Sequence, residues 1–251
     1  MKIIPLSEGA FTVDNSKRFI PFDKASDDLQ QRNIGSLLVE IQPFCILTAK
    51  DTIIIDTGLG FDTDKGVLQI HQNLSDKGIN PLDVTKVLLS HLHKDHSGGI
   101  GGYDKISQRH NLNFPHATYY VNKYELAAAG EKGEPSGAPA EFEMLTKTDQ
   151  LVLLDGNGMI DDHIRYELTG AHSPFHQVFW IEGAGQKVFF GGDVAPQLQQ
   201  MKNRFIAKYD FDGKKCMELR KQWWQQGREE NWTFLFYHDI NTPIFNFKQG
   251  S

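Results

Sequence analysis

Cysteine is scarce: Cys45 and Cys216 are the only two in 251 residues, and no CxxC spacing occurs. Neither a disulfide framework nor a thiolate zinc site is indicated, and both thiols read as small core residues. No window approaches 18 uninterrupted apolar residues, and Met1–Glu8 lacks an apolar signal-type run. Membrane spanning and secretion therefore have no support, and a cytoplasmic protein is expected. The glycosylation-type triplets at Asn73 and Asn231 then count as chance matches. Basic blocks are missing as well: 26 Lys and Arg stand against 32 Asp and Glu, a formal net charge of −6. Nothing in that balance tracks a phosphate backbone, so the expected partner is a small molecule and not nucleic acid or membrane.

Enough apolar material is present to bury a full core, with 39% hydrophobic and 23% charged residues. Short apolar runs recur, among them Leu37–Ile41, Thr52–Asp56, Lys86–Ser90, Ile164–Leu168, Lys187–Phe190 and Trp232–Phe236. Their length, β-branching and flanking Gly, Asp or Pro predict strands. Helical spacing falls between them at Val67, Ile70 and Leu74, and again at Cys216, Leu219 and Trp223, where Asp212 is the expected cap. The mixture predicts an α/β or α+β fold in one domain over residues 1–251. Gly130–Ala140, with three Gly and two Pro, reads as a linker between two halves of that domain. Phe11–Asp28, rich in charge and Phe, reads as a lid over a site or as a surface excursion.

The chemistry concentrates in Ser90-His91-Leu92-His93-Lys94-Asp95-His96-Ser97-Gly98-Gly99, four potential metal ligands within six residues directly after a strand. In an extended segment residues two apart project to one side, so His91 and His93 can grip one ion. Asp95 and His96, where the chain turns toward a helix, can face a second, and Gly98-Gly99 permits a tight turn. His172, Asp193 and His238 each follow the carboxyl end of a strand, the edge where α/β proteins build sites. These seven nitrogen and oxygen donors suffice for two divalent ions, zinc foremost, with manganese or iron also compatible. His71, His110, His116 and His163 lack ligand spacing and read as surface or structural residues.

With the HxHxDH motif intact, the sequence resembles the metallo-β-lactamase superfamily. Further counterparts follow in order: Asp56-Thr57-Gly58, the loop Gly170-Ala171-His172-Ser173-Pro174-Phe175-His176, Gly192-Asp193 and His238-Asp239. The resemblance implies an αββα sandwich, two mixed β-sheets flanked by helices, with a two-metal hydrolase site along one edge. By the family pattern His91, His93 and His172 would hold the first metal, Asp95, His96 and His238 the second, and Asp193 would bridge them. Asp95 and Asp193 are the expected catalytic carboxylates, and Asp56 the expected support for a ligand histidine or a backbone amide. The loop departs from the pattern at Ala171 and Phe175. N-acyl homoserine lactonases and related esterases are the most similar members, but their Tyr three residues after the bridging Asp is Pro196 here. The implied activity is hydrolysis of a lactone, ester or thioester by hydroxide generated between two metals. The alternatives are a phosphodiesterase acting on a small phosphodiester and a metal-binding sensor without turnover.

Overall fold

The computed structural model describes residues 1–104, 108–132 and 139–248. In chain order its strands are β1 (Lys2–Pro5), β2 (Gly9–Val13), β3 (Phe19–Phe22), β4 (Leu37–Ile41), β5 (Phe44–Leu47), β6 (Thr52–Ile55), β7 (Lys86–Leu88), β8 (Gly101–Asp104), β9 (Arg109–Leu112), β10 (Thr118–Asn122), β11 (Leu151–Leu154), β12 (Gly158–Ile160), β13 (Ile164–Leu168), β14 (Gln177–Gly183), β15 (Gln186–Phe190), β16 (Thr233–Leu235) and β17 (Ile244–Asn246). The α-helices are α1 (Gln69–Asp76), α2 (Lys94–Ser97), α3 (Lys123–Lys132), α4 (Pro139–Thr146), α5 (Leu198–Lys202) and α6 (Gly213–Glu229).

Two six-stranded sheets dominate, in the orders β1-β5-β6-β7-β10-β11 and β12-β13-β14-β15-β16-β17. Both are mixed: β6, β7, β10 and β11 run parallel in the first, and β15 with β16 in the second. The period-2 rule for strands decides which side chains meet. Phe44, Ile46, Ile53 and Ile55 of the first sheet face Phe179, Ile181, Val188 and Phe190 of the second in one buried cluster. Their neighbours Cys45 and Ile54 point the other way, into a layer with Ile70 and Leu74 of α1 and Leu126 of α3. On the far side Trp180, Phe189 and Phe234 meet Met201 of α5 and Cys216 and Trp223 of α6. The order of layers is therefore helix, sheet, sheet, helix. Asp212 caps α6 by accepting from the Lys215 amide at 2.9 Å, as its position predicts.

Two expectations change. Phe11–Asp28 does lie over a site, since Val13, Lys17 and Phe19 line the cavity above the donors, but it is tied into a small three-stranded sheet in which β2 pairs antiparallel with both β3 and β4. Alternating Ala10, Thr12 and Phe11, Val13 supplies the pattern for that pairing. The ends of the expected linker Gly130–Ala140 belong to helices α3 and α4, and its centre, 133–138, lies outside the described residues. No helix among the described residues is long and apolar enough to cross a membrane.

Candidate metal centre

The carboxyl ends of β6, β7, β15 and β16 open onto one edge of the sandwich. Just beyond them lie Asp56, the His91–His96 segment, Asp193 and His238. After Leu88 the chain runs extended to His93, whose backbone φ and ψ are −66° and 148°, and then winds into α2. His91 Nε2 and His93 Nδ1 are 2.9 Å apart, and His172 Nε2 lies 3.3 Å from the same His93 nitrogen. Asp193 divides its carboxylate between two groups. Its Oδ2 is 3.3 Å from His172 Nε2 and 3.9 Å from His91 Nε2, while its Oδ1 is 3.0 Å from His238 Nε2 and 3.2 Å from His96 Nε2. Asp95 Oδ2 completes the second group, 3.5 Å from His238 Nε2 and 3.7 Å from His96 Nε2. Within each set, His91, His93, His172 and Asp193 on one side and Asp95, His96 and His238 on the other, the donor atoms lie within 4.8 Å of one another. All seven residues singled out in the sequence thus meet at one place.

Four of the five imidazoles, those of His91, His96, His172 and His238, have a polar partner on the far nitrogen. His96 Nδ1 donates to Asp56 Oδ2 at 2.7 Å, and the same carboxylate accepts from the Ser90 amide at 2.8 Å and the Ser90 hydroxyl at 2.7 Å. Asp56 is fully buried and held at φ +55°, a left-handed conformation that costs roughly 1–2 kcal/mol for a non-glycine residue. Its three bonds oppose that strain. His91 Nδ1 lies 3.0 Å from Ser90 Oγ. His172 Nδ1 donates to Asp210 Oδ1 at 2.8 Å, and His238 Nδ1 to the Glu40 carbonyl at 2.8 Å. Tyr237 stacks on the His96 ring, centroids 4.1 Å apart, and donates its hydroxyl to the Asp95 carbonyl at 2.5 Å.

Glycines let the ligand segment sit close to its neighbours. Gly98 is right-handed, with φ −61°, so it needs no special turn. A Cβ there would overlap the Leu59 carbonyl, and one on Gly99 the Thr57 carbonyl. Close approach of two backbones is the requirement. In the His172 loop, Gly170 takes the turn at φ +54°. Ala171 fits fully buried, and Phe175 rests on Tyr124 with ring centroids 5.5 Å apart.

Burial, followed by the neighbouring His96 and His93, pushes His91 well below the usual histidine range. Burial and the nearby His172 lower His93 to about 4. For Asp193 burial alone favours protonation, but His238, His96 and His172 outweigh it and hold the carboxyl well below its ordinary value. His91 and His93, kept neutral and facing an anionic carboxylate, are metal-ready donors, whereas for His96 and His238 burial is outweighed by the facing carboxylates, Asp193 foremost, which hold both above the usual histidine range. His96 Nε2 and Asp193 Oδ1 are buried with no hydrogen-bond partner, which costs about 1–3 kcal/mol each if nothing satisfies them. Divalent cations would satisfy both, and nitrogen with carboxylate oxygen suits zinc, manganese or iron.

Sequence reasoning missed several supporting groups. Asp210 stands 38 residues from His172 with no motif spacing to mark it. Glu125 accepts from the Leu92 amide at 3.1 Å and the Ser173 hydroxyl at 3.3 Å, tying the two ligand loops together from α3. Burial raises its carboxyl above the usual range. The fully buried Arg220 of α6 donates to the Val194 carbonyl at 2.8 Å and to the Phe205 carbonyl, anchoring the segment that carries Asp210. A cavity of about 420 Å³ lies over the donors, lined by Val13, Phe19, Val39, Pro196, Phe205 and Tyr209 among others. Pro196 stands three positions after Asp193, and the phenol facing the cavity comes instead from Tyr209, whose ring centroid is 6.1 Å from that of His172. A separate cluster of Asp51, Asp161 and His163 is already occupied by Lys86, which ion-pairs with both carboxylates and offsets part of their charge. His163 there is structural.

The family model of the metallo-β-lactamase superfamily matches residues 38–233. The chain belongs to this superfamily. Among proteins of known activity it is similar to the human acyl-coenzyme A thioesterase MBLAC2, with 25% identity over 163 residues, 58% of this chain and 55% of that protein. An atrochrysone carboxyl ACP thioesterase of Pseudocercospora fijiensis is 33% identical over 95 residues, 38% of this chain and 25% of that protein. The chain spans about half the length of the human relative. Among solved structures, a probable metal-dependent hydrolase from Staphylococcus aureus superposes with a TM-score of 0.76 at 22% identity, covering 98% of this chain and 92% of that one. The dizinc quorum-quenching lactonase AidC superposes with 0.71 at 20% identity, covering 96% and 88%. These superpositions match the αββα metallo-β-lactamase fold over nearly the whole chain.

Proposed function

We propose that residues 1–251 form one hydrolase domain that cleaves the acyl bond of a thioester, ester or lactone of a small molecule. His91, His93 and His172 would hold one divalent metal, Asp95, His96 and His238 a second, and Asp193 would be shared between them. The divided carboxylate of Asp193 carries this reading: one oxygen faces each donor group at 3.0–3.3 Å. A metal pair of this kind supplies an acidified water near pH 7 and polarises the bond under attack.

This chain's own residues do the rest. Asp193 and Asp95 would neutralise part of the cationic charge, and both carboxylates stand at the cavity floor, where they can accept a proton from an attacking water. Tyr209 keeps its phenol proton, because burial and the nearby Asp193 and Asp210 push its ionisation up. It is therefore a hydrogen-bond donor beside the position where a carbonyl oxygen gains charge. The apolar cavity wall excludes water from an acyl chain. The thioesterase names of the curated relatives favour a thioester among the three acyl classes.

The test compares initial rates on an octanoyl thioester, an aliphatic lactone and a chromogenic phosphodiester, each with and without chelator. Chelator-sensitive turnover of the thioester or the lactone is expected. Preference for the phosphodiester would overturn the reading.

A further inference from the structure

The cavity has two chemically distinct parts above its donor floor. One wall is hydrocarbon: Val13, Phe19 and Val39 from the β2-β3-β4 sheet face Phe205 and Tyr209 across the opening. A volume of about 420 Å³ is much more than an acyl carbon and its leaving atom fill. The rim carries two cations, Lys17 and Lys94, both exposed and both lining the cavity. Its lining carboxylates are Asp95 and Asp193, which belong to the floor.

Neither lysine has a carboxylate partner within ion-pair distance among the described residues, which is equally true of exposed lysines such as Lys65 and Lys77; what sets these two apart is their place on the cavity lining. The ammonium of Lys94 lies 5.7 Å from the Phe61 ring centroid. Lys17 stands in the β2-β3 turn, where its amide donates to the Asp14 carbonyl at 2.9 Å. The turn is locked by Asp14, which accepts from the Ser16 amide at 2.8 Å and the Asn33 side chain at 3.1 Å. Lys17 has φ +56°, a conformation that glycine or asparagine adopts at less cost. A lysine at that place, in a chain of net charge −6, puts positive charge at the mouth of the cavity, beside its apolar wall.

We infer that the substrate is an anionic amphiphile: an acyl compound whose hydrocarbon lies along the β2-β3-β4 wall and whose anionic group is met at the rim by Lys17 and Lys94. The inference rests on the acyl-hydrolase reading above and narrows its substrate. The anionic group has two possible positions, a phosphate on the leaving thiol or a carboxylate at the far end of the acyl chain.

Three substrates separate them: octanoyl phosphopantetheine, the monothioester of an eight-carbon dicarboxylic acid with N-acetylcysteamine, and neutral octanoyl-N-acetylcysteamine. At least one anionic substrate is expected to exceed the neutral one at least fivefold in kcat/KM at low salt. That advantage should shrink as ionic strength rises, since the rim charges are exposed and screened. It should also fall by about fivefold in the double variant Lys17→Gln/Lys94→Gln. Lys17→Gln alone, remote from the ligand motif, should lower the same ratio in the same direction, with metal content measured in each protein. Within the preferred class, each added methylene should raise kcat/KM by up to about fourfold until the wall is filled. Equal rates on neutral and anionic substrates, or a ratio unmoved by both variants, would overturn the inference.

If none of the three is turned over, the hydrolase reading fails, and binding decides the inference separately. Calorimetric titration with the octyl thioethers of phosphopantetheine and of N-acetylcysteamine, and with the ω-carboxyoctyl thioether of N-acetylcysteamine, should still show tighter, lysine-dependent binding of an anionic probe. Equal affinities would sink it.

Discussion

The floor and the wall of the cavity are built on opposite plans. Floor donors are buried or half-buried, and three of the imidazoles are held from behind by a second group: Asp56 behind His96, Asp210 behind His172, the Glu40 carbonyl behind His238. Wall residues come from the β2-β3-β4 sheet and from the loop through Phe205 and Tyr209; Val39 is buried, Val13 and Phe19 are partly buried, and the loop side is the more open, with Phe205 at 40% and Tyr209 at 50%. Fixed geometry is what the proposed pair of metals would require, because donors displaced by an ångström lose the ion. A wall that contacts hydrocarbon needs only the right volume, so it tolerates substitution. Changes in the floor should therefore abolish chemistry, and changes in the wall should shift substrate choice.

The largest break is expected from Asp193→Asn. It removes the one carboxylate facing both donor groups, and should cut turnover by roughly a hundredfold or more and lower metal content. Elemental analysis beside initial rates checks it, and near wild-type values in both would refute the shared-ligand role. Asp56→Ala and Asp210→Asn come next. Each leaves every direct donor in place but frees one imidazole, and should weaken metal binding about 10–100-fold, measured by competition with a chromophoric chelator. An unchanged affinity in both would show that the floor is not held from behind.

Glu8 tests the seam between floor and wall. It accepts from the Leu59 amide at 2.7 Å, its other oxygen is buried without a partner, and burial raises its pKa from 4.5 to about 7. The folded protein therefore keeps a proton that the unfolded chain has lost between about pH 4.5 and 7, and stability falls as pH rises through that window. A shift of that size corresponds to about 3 kcal/mol. Glu8→Gln should remove this loss, so its urea midpoint relative to wild type should rise from pH 4.5 to pH 8 in metal-stripped protein. A constant difference across that range would show that Glu8 does not titrate there. The smallest effect is expected in the wall: Phe19→Ala should raise KM for long acyl substrates a few-fold while leaving metal content intact, and a loss of metal would erase the contrast between floor and wall.

Much of the floor is legible in the amino-acid sequence. His91, His93, Asp95 and His96 lie within one short run, and local backbone geometry brings nearby side chains together. His172, Asp193 and His238 are legible through a simpler fact, that each follows a strand. Asp210, Glu125 and Arg220 are not, since each reaches the site from a helix or loop remote in sequence. Only the folded chain sets His172 Nδ1 against Asp210. The segment Phe11–Asp28 is only half legible for a related reason. Its short alternating runs pair only because β4 lies alongside, and strand pairing is a long-range event.

Local order along the chain, then, determined the mixture of strands and helices, which face of each strand is buried, and the candidate donors; the αββα layering was implied by the family resemblance. Alternation places Ile53 and Ile55 on one face and Ile54 on the other, and a ligand motif needs only a few consecutive residues. Tertiary structure alone decided how Asp193 divides its two oxygens, which groups orient the imidazoles, and where Lys17 and Tyr209 stand over the cavity. Those are contacts between segments separated by tens of residues, and their distances exist only once both sheets have closed on a common core.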